Sequence, residues 1–289
     1  MTIEVLSPRG FCAGVTGALE KARRLAGRAG GRAVYCLHEL VHNELVVNDL
    51  KSRGFVFVES VEDVPEGETV LFSAHGVAPA VRAAAAARRL EIVDATCPFV
   101  ARVHREARSF AEKGLAVIVL GKADHAEVKG IVGEVESAGG TAVVLDGAAA
   151  VGRFTADGKR TAAGTAHPTF GVVSQTTMNA DEVKRLVKEL GARFTIETSA
   201  EVCHATKERQ DAVKAFGGDA LLVLGSRNSS NTLRLCEVAR RRVFCAGTPE
   251  EVASLDLSGV TSLGVTAGAS TPEDFISEAV NILKGKTSK

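Results

Sequence analysis

Short apolar runs alternate along the chain with longer segments in which apolar residues recur at helical spacing. An apolar run at 3–6 predicts a strand, and apolar positions between 15 and 26 predict a helix directly after it. The same alternation of β-branched runs and alanine-rich helical segments continues through the rest of the sequence. This pattern is typical of α/β folds, in which helices cover the faces of parallel sheets.

A threefold repeat lies within this alternation, because a strand, a cysteine and a helix follow one another three times. The three cysteines are Cys12, Cys97 and Cys203. Pro98 fits the first position of a helix predicted over 99–113, and a third helix is predicted over 204–216. A cysteine at a helix N-terminus is biased toward the thiolate, which is the form that binds metals.

Polar clusters follow six further predicted strands, two in each copy of the repeat. They lie at 40–43, 121–127 and 225–231, and at 73–76, 174–177 and 266–270. In open α/β sheets ligands collect at the carboxyl ends of the strands. The repeat therefore predicts three small α/β lobes facing one shared site, over residues 1–96 (with the N-terminal strand and Cys12), 97–195 and 196–289. Residues 156–166 lack periodicity and predict a surface loop.

Composition excludes several classes of function. The 289 residues carry 35 basic and 35 acidic side chains and no tryptophan, so neither a basic field nor a stacking platform favours nucleic acid. No 18-residue apolar run predicts a membrane span, and the sequence enters a strand without a signal peptide. Six cysteines without a CxxC pair argue against a disulfide framework or zinc ribbon. We therefore expect a cytoplasmic protein.

Three thiolates at equivalent positions suit an iron–sulfur cluster better than zinc, which usually recruits histidine as well. A cubane cluster held by three cysteines leaves one iron open for substrate, as a Lewis-acid and electron-delivery site. The alternative is that the three cysteines are core residues, and we interpret the remaining ones in that way: Cys36, Cys236 and Cys245.

Three histidines, His42, His75 and His125, follow strands directly. With neighbouring serine, threonine and asparagine side chains they predict a site for an anion such as a diphosphate. The loop at 225–231 is similar to a phosphate-cradling turn but lacks the Walker spacing, so it does not predict ATP binding. Glu127 is placed for proton delivery. The alternative is a glutamate stabilised by the helix dipole.

Seven motifs, in order along the chain, resemble the 4-hydroxy-3-methylbut-2-enyl diphosphate reductase family, which ends the non-mevalonate isoprenoid pathway. They are Pro-Arg-Gly-Phe-Cys-Ala-Gly-Val at 8–15, His-Glu-Leu-Val-His-Asn at 38–43, Phe-Ser-Ala-His-Gly-Val at 72–77, Asp-Ala-Thr-Cys-Pro at 94–98, Ser-Gln-Thr-Thr at 174–177, Asn-Ser-Ser-Asn at 228–231 and Gly-Val-Thr-Ala-Gly-Ala-Ser at 264–270. The resemblance covers about residues 5 to 280.

The resemblance implies a trefoil of three α/β lobes around a [4Fe–4S] cluster held by Cys12, Cys97 and Cys203. It implies a reductive dehydroxylation in which two electrons and two protons remove an allylic hydroxyl as water, giving isopentenyl and dimethylallyl diphosphate. Glu127 matches the proton donor, Thr176 the residue beside the substrate hydroxyl, and His125 a residue that also helps relay protons. The residues that match the diphosphate site are His42, His75, His125, Ser229, Ser230, Asn231 and Ser270. Electrons are expected from a ferredoxin or flavodoxin.

Two departures from the family pattern keep alternatives open. Ala126 stands where proline is common before the glutamate, and residues 198–202 approach Cys203 differently from the usual sequence. A paralogue that acts on a related allylic diphosphate is one alternative, and a non-catalytic iron–sulfur sensor is another. A hydrolase with a metal held by histidines is disfavoured, because the histidines lack close spacing such as HExxH.

Overall fold

Parallel strands form three separate sheets in a computed structural model, which describes residues 1–155 and 169–287. Each sheet has four strands. The first has the order β3 (Phe55–Val58), β2 (Val34–Leu37), β4 (Thr69–Phe72), β5 (Glu91–Asp94). The second has the order β7 (Ala142–Leu145), β6 (Ala116–Leu120), β8 (Thr169–Ser174), β9 (Thr195–Thr198). The third has the order β1 (Thr2–Val5), β12 (Ser262–Ala267), β10 (Ala220–Leu224), β11 (Arg242–Ala246).

Helices connect the strands, as parallel pairing requires. In the described part of the chain they are α1 (Ala13–Arg28), α2 (Glu44–Ser52), α3 (Pro79–Ala87), α4 (Pro98–Glu112), α5 (Ala126–Ser137), α6 (Gly147–Arg153), α7 (Ala180–Arg193), α8 (His204–Ala215), α9 (Ser230–Val238), α10 (Pro249–Ser254) and α11 (Glu273–Thr287). The helices predicted after the three cysteines are confirmed as α1, α4 and α8. None of the described helices is both long and apolar enough to cross a membrane.

The chain divides into two compact units. The first unit comprises Met1–Thr16, Val41–Arg53 and the residues from His204 onward, and it contains the third sheet. The second unit comprises Gly17–Leu40 and Gly54–Cys203, and it contains the first and second sheets. The α/β class with three parallel sheets is confirmed. The loop predicted at 156–166 lies outside the described residues.

The three sheets share one topology, which confirms the threefold repeat of strand, cysteine and helix. In each of them the strand before a cysteine is an edge strand: β5 before Cys97, β9 before Cys203 and β1 before Cys12. In each sheet this edge strand pairs with a strand that is followed by a polar loop. These paired strands are β4, β8 and β12. Equivalent strands therefore end at equivalent places, which is why the polar loops recur.

The edge strands correct two details of the predicted lobes. The N-terminal strand was expected in the first lobe, but β1 pairs with β12, with Thr2 opposite Ser262, and so belongs to the third sheet. Likewise β9 spans the predicted boundary after residue 195 and pairs with β8 in the second sheet. An edge strand needs only one partner, so its own sequence does not choose the sheet. The domain boundaries themselves stay predictions.

Central strands and glycines set how closely the helices approach the sheets. All residues of β6 and β10 are buried, and each large apolar side chain buried in this way contributes about 1.5–3 kcal/mol. Gly171 of β8 has no room for a Cβ, which would lie 2.5 Å from the ring of Phe110 on α4. Gly264 of β12 meets Phe216 in the same way, at 2.6 Å. These contacts hold the helices that begin beside Cys97 and Cys203.

Candidate functional site

The three predicted cluster cysteines have equivalent backbone positions. All three side chains are half-buried. In the second unit, the Cys97 N–H donates to the Ala74 carbonyl and the Cys203 N–H to the Thr176 carbonyl, both at 3.0 Å. In the first unit, the Cys12 N–H donates to the Ala269 carbonyl at 3.1 Å. Each cysteine is thus tied to the polar loop of its own repeat, just before a helix begins.

The turn that carries Cys12 depends on glycine and on a buried arginine. Gly10 has a φ of +65°, which side-chain-bearing residues rarely adopt. Its carbonyl accepts a hydrogen bond at 2.8 Å from the Arg209 guanidinium, which is itself buried on α8. A charged donor strengthens such a bond. The turn is therefore fixed from the helix that follows Cys203.

Asn231 lies at the centre of the polar loops in the first unit. It is the second residue of α9 and is 5% exposed. Its Oδ1 accepts the Ala269 N–H at 3.0 Å, and its Nδ2 donates to the Thr206 hydroxyl at 3.1 Å. Because the amide accepts one of these bonds and donates the other, they identify which of its two ends is the NH2 group. The second hydrogen on Nδ2 keeps Asn231 a hydrogen-bond donor.

The other predicted diphosphate residues of the first unit lie at helix starts and strand ends. Ser229 is the N-cap of α9 and accepts the Thr232 N–H at 3.4 Å, and Ser230 is the first residue of that helix. The buried Ser270 hydroxyl donates to the His42 carbonyl at 3.3 Å. His42 directly precedes Asn43, whose side chain caps α2. The structure thus links His42 and Ser270 through a hydrogen bond that the sequence does not reveal.

In the second unit, His75 and His125 lie edge to face, with ring centroids 5.5 Å apart. His75 Nδ1 lies 3.3 Å from the Ser73 hydroxyl. His125 is the N-cap of α5, and its Nδ1 accepts the Glu127 N–H at 3.2 Å. An accepting Nδ1 places the proton of the neutral ring on Nε2. His125 therefore presents an N–H donor, as the binding of an anion requires.

Glu127 and Thr176 form a buried pair. Glu127, the second residue of α5, is 1% exposed. Its Oε1 accepts the Thr176 N–H at 2.7 Å, and its Oε2 lies 3.0 Å from the Thr176 hydroxyl. The carbonyl of the same Thr176 accepts the Cys203 N–H. One residue thus contacts both the predicted proton donor and a predicted cluster ligand.

Burial changes the acidity of Glu127. Desolvation raises its pKa from 4.5 to about 7, and the two hydrogen bonds from Thr176 oppose the shift. The Thr176 hydroxyl donates to Oε2 of the ionised group; because Oε1 accepts a backbone N–H, protonation would place the proton on Oε2 and reverse this bond. An acid that titrates near neutral pH is suited to proton donation. The interpretation of Glu127 as a mere helix-end carboxylate does not account for its complete burial.

Helix α5 begins normally although Ala126 replaces the proline common in the family. Ala126 is the first residue of the helix, and the His125 cap is formed. His125 has φ −71° and ψ 135°, the extended conformation that a residue before proline adopts. The loop that aims Glu127 is therefore held by the cap and not by the missing ring.

The remaining cysteines are packed as predicted. Cys36 is fully buried, and desolvation raises the pKa of its thiol to about 12. Cys236 and Cys245 pack against the apolar cluster on one face of the third sheet. They also hydrogen-bond to each other, a bond that lowers the pKa of Cys245 to about 7. None of the three lies on a polar loop at the end of a strand.

Sequence reasoning missed two supporting residues. Thr206 orients the Asn231 amide, and its position three residues after Cys203 on α8 was the available signal. Gln175 precedes Thr176; its Oε1 accepts the Lys122 N–H at 3.2 Å and its Nε2 donates to the Thr177 hydroxyl at 3.0 Å. Gln175 therefore joins the ends of β6 and β8, next to the Glu127–Thr176 pair.

Comparison with known proteins supports the resemblance found in the motifs. The chain is 40% identical to the 4-hydroxy-3-methylbut-2-enyl diphosphate reductase of Nitrosomonas europaea over 96% of this chain and 86% of the relative. It is 41% identical to the enzyme of the same name from Ralstonia nicotianae, over 96% and 84%.

Solved structures agree. The structure of the E-1-hydroxy-2-methyl-but-2-enyl-4-diphosphate reductase from Plasmodium falciparum matches with a TM-score of 0.87 and 29% identity, over 97% of this chain and 87% of that chain. The family model described as LytB protein matches residues 3–284. The chain therefore belongs to the LytB protein family.

Proposed function

We propose that this protein is a 4-hydroxy-3-methylbut-2-enyl diphosphate reductase, an oxidoreductase that acts on a small-molecule allylic diphosphate. The C–O bond to the allylic hydroxyl breaks, two electrons and two protons enter, and water leaves with isopentenyl or dimethylallyl diphosphate as product. The observation that carries the proposal is the buried Glu127–Thr176 pair, since it provides an acid of near-neutral pKa beside a predicted cluster ligand. The relatives of this name support the choice of substrate.

The proposed cofactor is a [4Fe–4S] cluster held by Cys12, Cys97 and Cys203. The donor set fits such a cluster, because all three cysteines are half-buried and each precedes a helix with the same backbone hydrogen bond. Held there, such a cluster would pass on the two electrons from the electron donor and would offer one iron without a protein ligand as a Lewis acid. The remaining steps fall to the side chains of the chain itself.

The proposed diphosphate site uses hydrogen-bond donors without a dense cluster of lysine or arginine. His125 presents Nε2–H because its Nδ1 accepts a backbone N–H, and Asn231 presents an amide hydrogen because its other bonds are fixed. Neutral donors and protonatable imidazoles hold an anion without a permanent ion pair. The diphosphate residues proposed are His42, His75, His125, Ser229, Ser230, Asn231 and Ser270. Thr176 completes the proposed substrate-binding set, beside the substrate hydroxyl.

Proton delivery is proposed to run from Glu127 through Thr176. The protonated Oε2 of Glu127 donates to the Thr176 hydroxyl 3.0 Å away, and that hydroxyl donates in turn to the leaving oxygen of the substrate. The Thr176 N–H holds Oε1, so the carboxyl group cannot rotate away from the hydroxyl. His125 donates to the diphosphate and helps to relay protons to Glu127, whose backbone N–H it already accepts.

A ferredoxin or flavodoxin is proposed as electron donor, because the sequence carries no flavin or nicotinamide motif. A cytoplasmic location stays a prediction.

Anaerobic purification tests the proposal. Iron and sulfide are counted per chain, visible absorption is recorded with and without the allylic diphosphate, and turnover is measured with a low-potential chemical reductant. We expect about four irons per chain, absorption that changes with substrate, and formation of both products. A protein that remains colourless after cluster reconstitution would refute the proposal. A coloured protein that binds but does not reduce the substrate would instead indicate a paralogue or a sensor.

A further inference from the structure

His104 is a buried histidine on α4 for which the proposed chemistry has no role. His104 is 7% exposed and lies two helical turns after Cys97. Two glycines make room for its ring. A Cβ on Gly130 would lie 2.7 Å from His104 Cε1, and a Cβ on Gly76 would lie 3.0 Å from the same atom. Real Cβ atoms do not approach as closely as 2.7 Å, so a side chain at residue 130 would displace the imidazole, and one at residue 76 would press against it.

The two glycines belong to elements that carry proposed site residues. Gly76 follows His75 in the loop after β4, and Gly130 lies on α5 one turn after Glu127. His75 in turn contacts the His125 ring at the start of α5. One imidazole therefore separates the His75 loop from the helix that holds the proposed acid.

The polar atoms of His104 make it an unusual choice for a packing residue. Its Nδ1 lies 3.6 Å from Glu134 Oε1, and its Nε2 is buried without a hydrogen-bond partner among the described residues. An apolar side chain would fill the space without leaving a buried nitrogen unpaired. Packing alone therefore does not account for a histidine at this position.

His104 is surrounded by charged groups on three neighbouring elements as well as on its own helix. They are Glu134 on α5, Asp94 on β5, Arg82 on α3, and Arg108, which lies 3.6 Å from Glu134. Burial lowers the pKa of His104, although Glu134 and Asp94 raise it. The ring is therefore neutral at pH 7, and its Nδ1–H points toward Glu134.

We propose that His104 is a positioning residue, which sets the spacing between the His75 loop and helix α5 and thereby the placement of Glu127 relative to the substrate. This inference rests on the proposed function. His104 touches neither substrate nor reacting atoms in this account. It acts through Gly76 and Gly130, and its Nδ1 faces Glu134 Oε1 at 3.6 Å.

The test compares the single variants His104→Ala and Gly130→Ala with their double variant. The infrared band of the protonated Glu127 carboxyl, identified by its loss in Glu127→Gln, is titrated in each protein. We expect His104→Ala to admit water beside α5, to lower the titration midpoint of Glu127, and to reduce kcat roughly 10- to 100-fold at unchanged iron content. Gly130→Ala should shift both readouts less when residue 104 is alanine, since the contact that it disturbs is then gone.

Leu190→Ala is the matched control, because Leu190 is also buried, on α7, but packs on the opposite face of the second sheet from α5. It should lose stability without moving the Glu127 midpoint or kcat. A His104→Ala protein that behaves like this control would overturn the proposal. If the wild-type protein does not reduce the substrate, the proposed function fails, and the infrared titration still decides the role of His104.

Discussion

The second and third sheets carry the same hydrogen-bonded pair with different side chains. In the second sheet, Glu127 at the second position of α5 accepts the Thr176 N–H at 2.7 Å. In the third, Asn231 at the second position of α9 accepts the Ala269 N–H at 3.0 Å. The carbonyls of Thr176 and Ala269 in turn accept the N–H groups of Cys203 and Cys12.

The difference between the pairs separates structure from chemistry. In both pairs a side-chain oxygen accepts a backbone N–H of the loop that follows a strand. A carboxamide is therefore sufficient for that structural role. Of the two pairs, the one beside the second sheet has a carboxyl group in place of the amide and a hydroxyl on its loop residue, and burial raises the pKa of Glu127 there to about 7. The repeat thus shows which part of the Glu127–Thr176 pair the fold needs and which part it does not.

Replacing Glu127 with glutamine should produce the largest effect. The amide oxygen of glutamine keeps the bond from Thr176, as Asn231 does for Ala269, so the protein should fold and retain its iron. Without an acidic proton, kcat should fall roughly 10²- to 10⁴-fold. Anaerobic turnover normalised to iron content measures the loss. An unchanged kcat at full iron content would remove Glu127 from the mechanism.

The reverse exchange, Asn231→Asp, should weaken substrate binding. It replaces an amide donor with a carboxylate of the same shape, beside the proposed position of an anionic diphosphate. Losing a hydrogen bond to a charged group costs about 1.5–3 kcal/mol, so KM should rise roughly 10- to 100-fold. Steady-state kinetics at several substrate concentrations separate KM from kcat. A lower kcat with an unchanged KM would mean that Asn231 does not contact the diphosphate.

Glu127 should also make stability depend on pH. Its folded pKa is about 7 and its ordinary value 4.5, so the folded state binds the proton more tightly than the unfolded state does. Stability contributed by the protonated group is therefore complete below about pH 4.5 and is lost as pH rises through about 7, a decrease of roughly 3 kcal/mol. Urea unfolding across this range should show the decrease in the wild-type protein relative to Glu127→Gln. Parallel curves for the two proteins would contradict it.

Ala126→Pro should have the smallest effect. The first helical position tolerates proline, and His125 already has the required extended backbone. The substitution restricts the unfolded chain, so stability should rise by about 0.4–1 kcal/mol, with kcat unchanged. Thermal unfolding measures the gain. A destabilised variant would show that the Ala126 N–H is needed at this helix start.

Much of the fold was predictable because its signals are local. Apolar periodicity placed the helices after Cys12, Cys97 and Cys203, and the repeat predicted three sheets. The sheet of an edge strand was not predictable, since β1 pairs with residues around Ser262 at the opposite end of the sequence. Similar strands in each repeat offer equally suitable edges, and only the folded chain selects among them.

The candidate site, like the fold, was predictable only in part. The residue types and loops were evident from the sequence, but hydrogen bonds between them join distant segments. The bonds from Thr176 to Glu127 and from Asn231 to Thr206 depend on how α5 and α8 pack beside the loops. The raised pKa of Glu127 follows from burial, which a sequence pattern at a helix start does not report.

Proton donation by the buried Glu127 is tested most directly by the pH dependence of kcat, measured in anaerobic protein under saturating substrate and reductant. In the wild-type protein kcat should fall as pH rises through about 7, where Glu127 loses its proton. The Glu127→Gln protein should show a low rate without this decrease. If both proteins show the same decrease, another group supplies the proton and the account is wrong.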